Sequence, residues 1–220
     1  MRILVLEDNV RLASGLKKIL TKEGYAVDML HDGADGIDVL DYQAYDLLLL
    51  DLGLPGIDGI DILKEVRKSN LNLPVIIISA RHKLDQRILG FETGADDYIA
   101  KPFDLEEVVV RVRALLRRSQ QKGQVSIQLG ELIFNTTTRE LTLKGERILL
   151  SKRELAVFEY LVSQVNIVIS KENIADHIGN FDDGFSSHAI ETYVSRLRKK
   201  LGTHVDIKTF PGLGYMLHTK

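Results

Sequence analysis

Five side chains able to hold a metal ion or take part in group transfer follow apolar runs in the first half of the chain. Ile3-Leu4-Val5-Leu6 leads into Glu7 and Asp8, and Leu47-Leu48-Leu49-Leu50 leads into Asp51. Val75-Ile76-Ile77-Ile78 leads into Ser79, and Tyr98-Ile99-Ala100 leads into Lys101. Short continuous apolar runs between helical patterns read as strands of a parallel sheet covered on both faces. Parallel strands send their carboxyl ends to one edge, so that edge gathers three carboxylates, a hydroxyl and an ammonium. Sheets of this kind bind ligands where the strand order reverses. In the flavodoxin-like order 2-1-3-4-5 the reversal falls between the first and third strands, which carry Glu7, Asp8 and Asp51.

Three carboxylates at one edge repel one another and favour protonation of at least one. A hard divalent cation removes the conflict, and an oxygen-only donor set without Cys or His favours Mg²⁺. An aspartate beside such a cation can act as nucleophile toward a phosphoryl group, giving an acyl phosphate. Ser79 and Lys101 would supply a hydroxyl and a cation to the transferred oxygens. Each acid taken alone is an ordinary loop residue; their convergence at neighbouring strand ends is what points to chemistry.

The elements that must position these groups are legible from periodicity. Val10–Glu23 carries Leu12, Leu16, Ile19 and Leu20 at helical spacing and is stopped by Gly24, after which Tyr25–Leu30 reads as a strand. Ile37–Leu40, Ile60–Lys68, Leu84–Glu92 and Leu105–Arg118 read as four further helices. Strand and helix in alternation, with short connections, require a right-handed, doubly wound, five-stranded sheet.

Composition narrows the class. The chain has 220 residues and 45% hydrophobic content, enough for two domains with packed cores. Without cysteine there is neither a disulfide framework nor a thiolate metal site. No apolar run approaches the ~20 residues that span a bilayer, and no signal-peptide pattern precedes the first strand. A cytoplasmic protein without a membrane partner is expected. The net charge of -2 hides an asymmetry: residues 1–119 are acidic, whereas residues 120–220 are slightly basic. Arg196, Arg198, Lys199 and Lys200 concentrate the basic excess on one segment, and local density matters for nucleic-acid binding.

Residues 119–126 (SQQKGQVS) are polar and aperiodic, so they read as a flexible linker reaching roughly 15 Å. It separates a domain at 1–118 from one at 127–220. Val125–Leu150 alternates, with turn signals at Asn135–Thr138 and Lys144-Gly145, and predicts a small antiparallel sheet. Ser151 and Glu154 form a capping box opening a helix through Val162. A second helix, Lys171–Ile178, follows Ser170, and a third follows Ser187 and ends at Leu201-Gly202. Val205–Phe210 and Tyr215–His218 flank Pro211-Gly212-Leu213-Gly214 as a hairpin. Three helices and a hairpin make an α+β winged helix-turn-helix. In the third helix Ile190, Val194, Leu197 and Leu201 face inward, leaving His188, Thr192, Ser195, Arg196 and Lys199 outside. An arginine there can pair with guanine and a threonine methyl can touch thymine, while Arg198 and Lys200 suit phosphates.

The segments LVLEDN (Leu4–Asn9), LLDLGLPGIDG (Leu50–Gly59), ISA (Ile78–Ala80) and GADDYIAKPF (Gly94–Phe103) resemble the receiver domain of two-component response regulators. With the second half, the chain is similar to the OmpR/PhoB-type subfamily over nearly its whole length. The resemblance implies that Asp51 is the phosphoacceptor. Asp8 and the Gly53 carbonyl would be Mg²⁺ ligands, with Glu7 acting through water. Ser79 would be the switch hydroxyl, Tyr98 the aromatic that swings inward and Lys101 the phosphoryl partner, set by a cis Lys101-Pro102 bond. Position 79 more often holds Thr in the family.

The same resemblance implies a phosphorylation-dependent homodimer through Arg87, Asp97, Glu107 and Arg111. Its other implied partners are a sensor histidine kinase, double-stranded promoter DNA in tandem half-sites, and RNA polymerase. Thr192 and Arg196 become the candidates for base reading. The wing departs from the family at Pro211, where Arg is usual, and at Met216, where a basic residue is common. That leaves Lys208, Thr209 and backbone amides to grip DNA. His188 also replaces a residue that is often Arg or Asn. Two other functions compete. An aspartyl-phosphate hydrolase needs a second aspartate two residues after its nucleophile, where Gly53 stands. A DNA-binding protein with a degenerate receiver is disfavoured by the intact Asp8, Asp51, Ser79 and Lys101.

Overall fold

The computed structural model describes residues 1–69, 72–121, 126–181 and 187–219, the side chains of 119–121 excepted. The chain forms two compact units that divide at residue 119/120.

The first unit alternates strand and helix: β1 (Arg2–Leu6), α1 (Val10–Lys22), β2 (Ala26–Leu30), α2 (Gly33–Tyr42), β3 (Leu47–Asp51), α3 (Gly59–Ser69), β4 (Val75–Ser79), α4 (Leu84–Thr93), β5 (Asp97–Ala100) and α5 (Leu105–Gln121). The strands are parallel in the order β2-β1-β3-β4-β5, as the sequence predicts. β1, β3 and β4 are buried along their whole length, which is why they read as unbroken apolar runs rather than alternating ones. Register aligns the functional ends. Leu6 pairs with Leu50, so Glu7 and Asp51 follow side by side, and Ser79 pairs with Ala100, directly before Lys101.

Local signals set the helix ends. Asn9 caps α1 by accepting from the Arg11 and Leu12 amides. Gly94 closes α4 in the left-handed conformation, φ 110°. α5 runs to Gln121, three residues beyond the expected end at Arg118, because Ser-Gln-Gln contains no breaker before Gly123. The expected linker therefore begins as helix; its residues 122–125 lie outside the described residues, and Ser126 already belongs to a strand.

α4 differs from its neighbours in burying only Gly90. A Cβ on that glycine would stand 2.9 Å from Ile77 Cδ1, so the helix approaches β4 through backbone alone.

The second unit is a four-stranded antiparallel meander, β6 (Ser126–Leu129), β7 (Leu132–Asn135), β8 (Glu140–Leu143) and β9 (Glu146–Ile148), then α6 (Lys152–Ser163), α7 (Lys171–Ile178), α8 (His188–Leu201) and the hairpin of β10 (Asp206–Phe210) and β11 (Gly214–His218). The Ser151–Glu154 capping box forms as predicted. Ile190, Val194, Leu197 and Leu201 of α8 share one core with Val157, Phe158 and Leu161 of α6. The hairpin is fastened to the segment before α7 by paired Ile169–Tyr215 backbone bonds of 2.8 and 2.9 Å. Gly214 permits that contact: its φ is 134°, and a Cβ there would fall 2.0 Å from the Ile169 carbonyl.

A buried ion pair ties β1 to β2 at the opposite edge from Asp51. Arg2 Nε donates to Asp28 Oδ2 at 2.6 Å, and Tyr45 donates to the same oxygen at 3.1 Å. Removing one partner of a buried pair typically costs about 3–5 kcal/mol, because the other charge is left without compensation. Arg2→Met is expected to destabilise the first unit by about that amount. Urea titration of the full chain, followed at amide resonances of β1 and β3, checks this; a loss below about 1 kcal/mol, the range of exposed pairs, contradicts it.

Candidate functional site

The strand ends bring Glu7, Asp8 and Asp51 together, with one carboxylate oxygen from each within 4.8 Å of the others. Asp51 is 5% exposed and Glu7 1%, whereas Asp8 is exposed. Lys101 reaches across from the end of β5. Its Nζ donates to Asp51 Oδ2 at 2.6 Å and to Glu7 Oε1 at 2.9 Å. The Lys101-Pro102 peptide is cis, and the Lys101 amide donates to the Ser79 carbonyl at 2.8 Å. On the other side the Gly53 amide donates to Asp51 Oδ1 at 2.9 Å. A Cβ on Gly53 would lie 3.5 Å from Asp51 Oδ1, so glycine keeps the approach to that carboxylate open.

Burial and the neighbouring charges together shift the Glu7 and Lys101 pKa values. Burial pushes the Glu7 carboxyl above its ordinary range, and the Asp51 charge adds to this against the bond from Lys101. Burial works against the Lys101 ammonium too, but the bonds to Asp51 and Glu7 outweigh it and raise its pKa. One lysine against three acids leaves a negative site. Lys101 Nζ also stands 2.8 Å from Glu7 Oε2, but its hydrogen-bond geometry serves Oε1, so Oε2 is a buried oxygen that accepts no hydrogen bond. An unsatisfied buried oxygen among all-oxygen donors fits a hard divalent cation.

Ser79 is buried at the end of β4, and its Oγ accepts from the Arg81 amide at 3.1 Å. Tyr98 is buried as well, its hydroxyl donating to the Arg81 carbonyl at 2.7 Å. The ring thus already lies inward, and an inward swing from an exposed position is not the starting point here.

In the second unit α8 presents His188, Thr192, Ser195, Arg196 and Lys199 to solvent while its apolar stripe is buried. Arg198 is used internally: it donates to the Ile207 carbonyl at 3.0 Å and to Thr209 Oγ1 at 2.7 Å, and lies over the Tyr215 ring. Lys200 is engaged too, donating to Glu154 Oε2 at 2.6 Å and to the Leu149 carbonyl at 3.0 Å. Both side chains, expected to face phosphates, are exposed and also brace α8 against the hairpin and α6. Lys208 is exposed on β10, 3.6 Å from Asp206.

Residues 3–113 match the response regulator receiver domain, and residues 145–217 match the C-terminal domain of transcriptional regulatory proteins. The chain belongs to the OmpR/PhoB-type response regulators. It is 41% identical to transcriptional regulatory protein TctD of Salmonella typhimurium, covering 99% of this chain and 97% of that protein. It is 39% identical to response regulator protein PmrA of Pseudomonas aeruginosa, covering 98% and 97% respectively. The first unit is similar to the receiver domain of Francisella response regulator 1452, with TM-score 0.52 and 35% identity over 54% of this chain and 98% of that one. This response regulator is accordingly a two-component transcriptional regulator with a receiver and a DNA-binding domain. Among the described residues no helix is long and apolar enough to cross a membrane.

Arg87, Asp97, Glu107 and Arg111 of this response regulator gather around β5 and α5. Arg111 forks to Asp97 at 2.9 Å and to Glu107 at 2.6 Å, and Arg87 lies over the Tyr98 ring, 5.8 Å from its centre. Leu84, Ile88, Leu89 and Val110 are exposed nearby in sequence on α4 and α5. Sequence reasoning passed over Arg81 and Asp58, which bridge the loops around Asp51 by an ion pair of 2.5 Å. It also passed over His31, whose Nδ1 lies 2.7 Å from the Glu7 carbonyl. No periodicity marks loop residues, so only the fold could find them.

The raised Glu7 pKa fixes the sign of a pH effect. In the metal-free protein the stability owed to this group is present below its unfolded pKa and lost as pH rises through the folded value. Cation binding needs the carboxylate and runs the opposite way. Mg²⁺ affinity is therefore expected to fall as pH drops from about 8 to about 5, and Glu7→Gln should flatten the acid side of that profile. Mg²⁺ titrations followed at the Gly53 amide measure it; a wild-type affinity independent of pH contradicts the assignment.

Proposed function

We propose that a sensor histidine kinase phosphorylates this response regulator on Asp51, and that the modified protein dimerises and binds tandem promoter half-sites to regulate transcription with RNA polymerase. The observation carrying this reading is the buried Asp51 carboxylate, held by Lys101 and the Gly53 amide beside Glu7 and Asp8. Glu7, Asp8, Asp51 and the Gly53 carbonyl would hold Mg²⁺, which would neutralise charge on the entering phosphoryl oxygens. Asp51 is the nucleophile, Lys101 pairs with a phosphoryl oxygen, and the Ser79 hydroxyl donates to another. The receiver has no separate enzymatic output.

A phosphoryl group adds a charge of about -1.5 to -2 beside Ser79. Ser79 shares Arg81 with Tyr98, so movement of the hydroxyl reaches the face of α4, β5 and α5. Exposed pairs such as those of Arg111 contribute only about 0–1 kcal/mol each. They set register, while Ile88, Leu89 and Val110 supply apolar area. A chain divided into two units at residue 119/120 would let two DNA-binding domains face the same way on a symmetric receiver pair.

Asp51→Asn is expected to abolish Mg²⁺-dependent labelling by acetyl phosphate, and wild type with beryllofluoride to double its mass in light scattering. Full labelling of Asp51→Asn at another aspartate, or an unchanged mass, overturns the corresponding half of the proposal.

On DNA, Arg196 and Lys199 have no hydrogen-bond or ion-pair partner among the described residues and are the freest cations of α8, with Thr192 and Ser195 beside them and His188 at its start. Arg196→Ala is expected to lose discrimination at one base position, costing about 1–3 kcal/mol. Lys199→Ala should weaken all sequences alike and lower the salt slope by about one. Binding isotherms on matched and single-substituted operators, with half-sites about 10–10.5 bp apart, check this. Uniform weakening by Arg196→Ala would move base reading to Thr192 or Ser195.

A further inference from the structure

Arg81 lies two residues beyond Ser79, between β4 and α4, and joins the parts of the site. Its guanidinium donates to the Leu52 carbonyl at 3.1 Å and to the Asp58 carboxylate at 2.5 Å. Its backbone amide donates to Ser79 Oγ at 3.1 Å, and its carbonyl accepts from Tyr98 Oη at 2.7 Å.

The Leu52 carbonyl and the Gly53 amide are the two polar ends of one peptide unit. The amide end donates to Asp51 Oδ1 at 2.9 Å. A trans peptide is planar, so its oxygen and its hydrogen turn together. Holding the oxygen on Arg81 therefore sets the direction of the N–H that aims Asp51. The Gly59 amide also approaches the Leu52 carbonyl, but at 3.4 Å it is a weak anchor. Both bonds leave the one Nη2, whose hydrogens are fixed in the guanidinium plane, so Leu52 and Asp58 are held in one set orientation that the freely rotating ammonium of lysine does not impose.

We infer that Arg81 is a positioning residue for Asp51, acting through the Leu52–Gly53 peptide, and that its backbone links this aim to Ser79 and Tyr98. A change at Asp51 thus reaches the buried tyrosine through one residue. The inference rests on Asp51 being the phosphoacceptor, and it makes the Arg81–Asp58 bridge part of the signalling path.

The test uses amide and aromatic NMR spectra of the full chain, with Mg²⁺ and beryllofluoride as the probe, for wild type, Arg81→Ala, Arg81→Lys and Asp58→Asn. Arg81→Ala is expected to move the Gly53 amide resonance before any ligand is added. It should also raise the apparent beryllofluoride Kd about fivefold, the size expected for losing one ordinary hydrogen bond of about 1 kcal/mol, and uncouple the Tyr98 ring from ligand addition. Asp58→Asn should do the same to a smaller degree, and Arg81→Lys should not restore the Gly53 resonance. Unchanged Gly53 and Kd in Arg81→Ala overturn the inference, even if thermal stability falls. Full restoration by Arg81→Lys also overturns it, because charge alone would then suffice. Should wild type fail to bind beryllofluoride, the phosphoacceptor reading fails, while the ligand-free Gly53 resonance still judges the positioning role. Should Arg81→Ala fail to fold, Asp58→Asn and Arg81→Lys carry the same comparison.

Discussion

Like charges gathered at one edge of a parallel sheet are the constraint on which the rest of this molecule turns. The doubly wound topology delivers Glu7, Asp8 and Asp51 to the same place, and two of them are buried. Carboxylates in that position are costly unless paired. Lys101 answers part of the cost by bridging Glu7 and Asp51, and the Gly53 amide answers another part. A negative remainder persists, with one Glu7 oxygen lacking a hydrogen bond. The site is electrostatically incomplete as it stands, which is the condition under which a cation or a transferred phosphoryl group alters its surroundings most.

Next to that site the fold is lightly anchored. α4 buries only Gly90, and Tyr98 packs beside it, its ring 6.3 Å from that of Phe91. An element with few buried apolar contacts is the kind that rearranges at low cost. Arg81 stands between this helix and Asp51, its side chain on Leu52 and Asp58 and its backbone on Ser79 and Tyr98. The rigid strands provide the fixed frame, and the β4–α4 segment provides the part able to respond.

The second unit spends some of its positive charge on itself. Arg198 and Lys200 belong to the basic run that marks α8 in the sequence, yet they fasten the helix to β10 and to Glu154. Burial would raise the Glu154 pKa, but the bonds from Lys200 and Ser151 outweigh it and lower it. The capping carboxylate of α6 is thus tied to the far end of α8. Arg198 and Lys200 remain exposed while making these bonds, and of the run Arg196 and Lys199 are the cations without a hydrogen-bond or ion-pair partner among the described residues.

Much of this was determined by sequence alone, for a physical reason. Parallel strands covered on both faces must be continuously apolar, so β1, β3 and β4 announce themselves, and the residue after each must lie at the carboxyl edge. The capping box at Ser151, the stop at Gly94 and the stripe of α8 are likewise local, set by backbone groups and helical period. Tertiary structure decided what depends on residues distant in the chain. It engaged Arg198 with β10 and Lys200 with Glu154, placed Tyr98 inside, carried α5 past Arg118, and drew Arg81 onto Leu52 and Asp58, 29 and 23 residues away. A hydrogen bond between loops leaves no period in the sequence, because either partner alone is an ordinary surface residue until the sheet brings the two together.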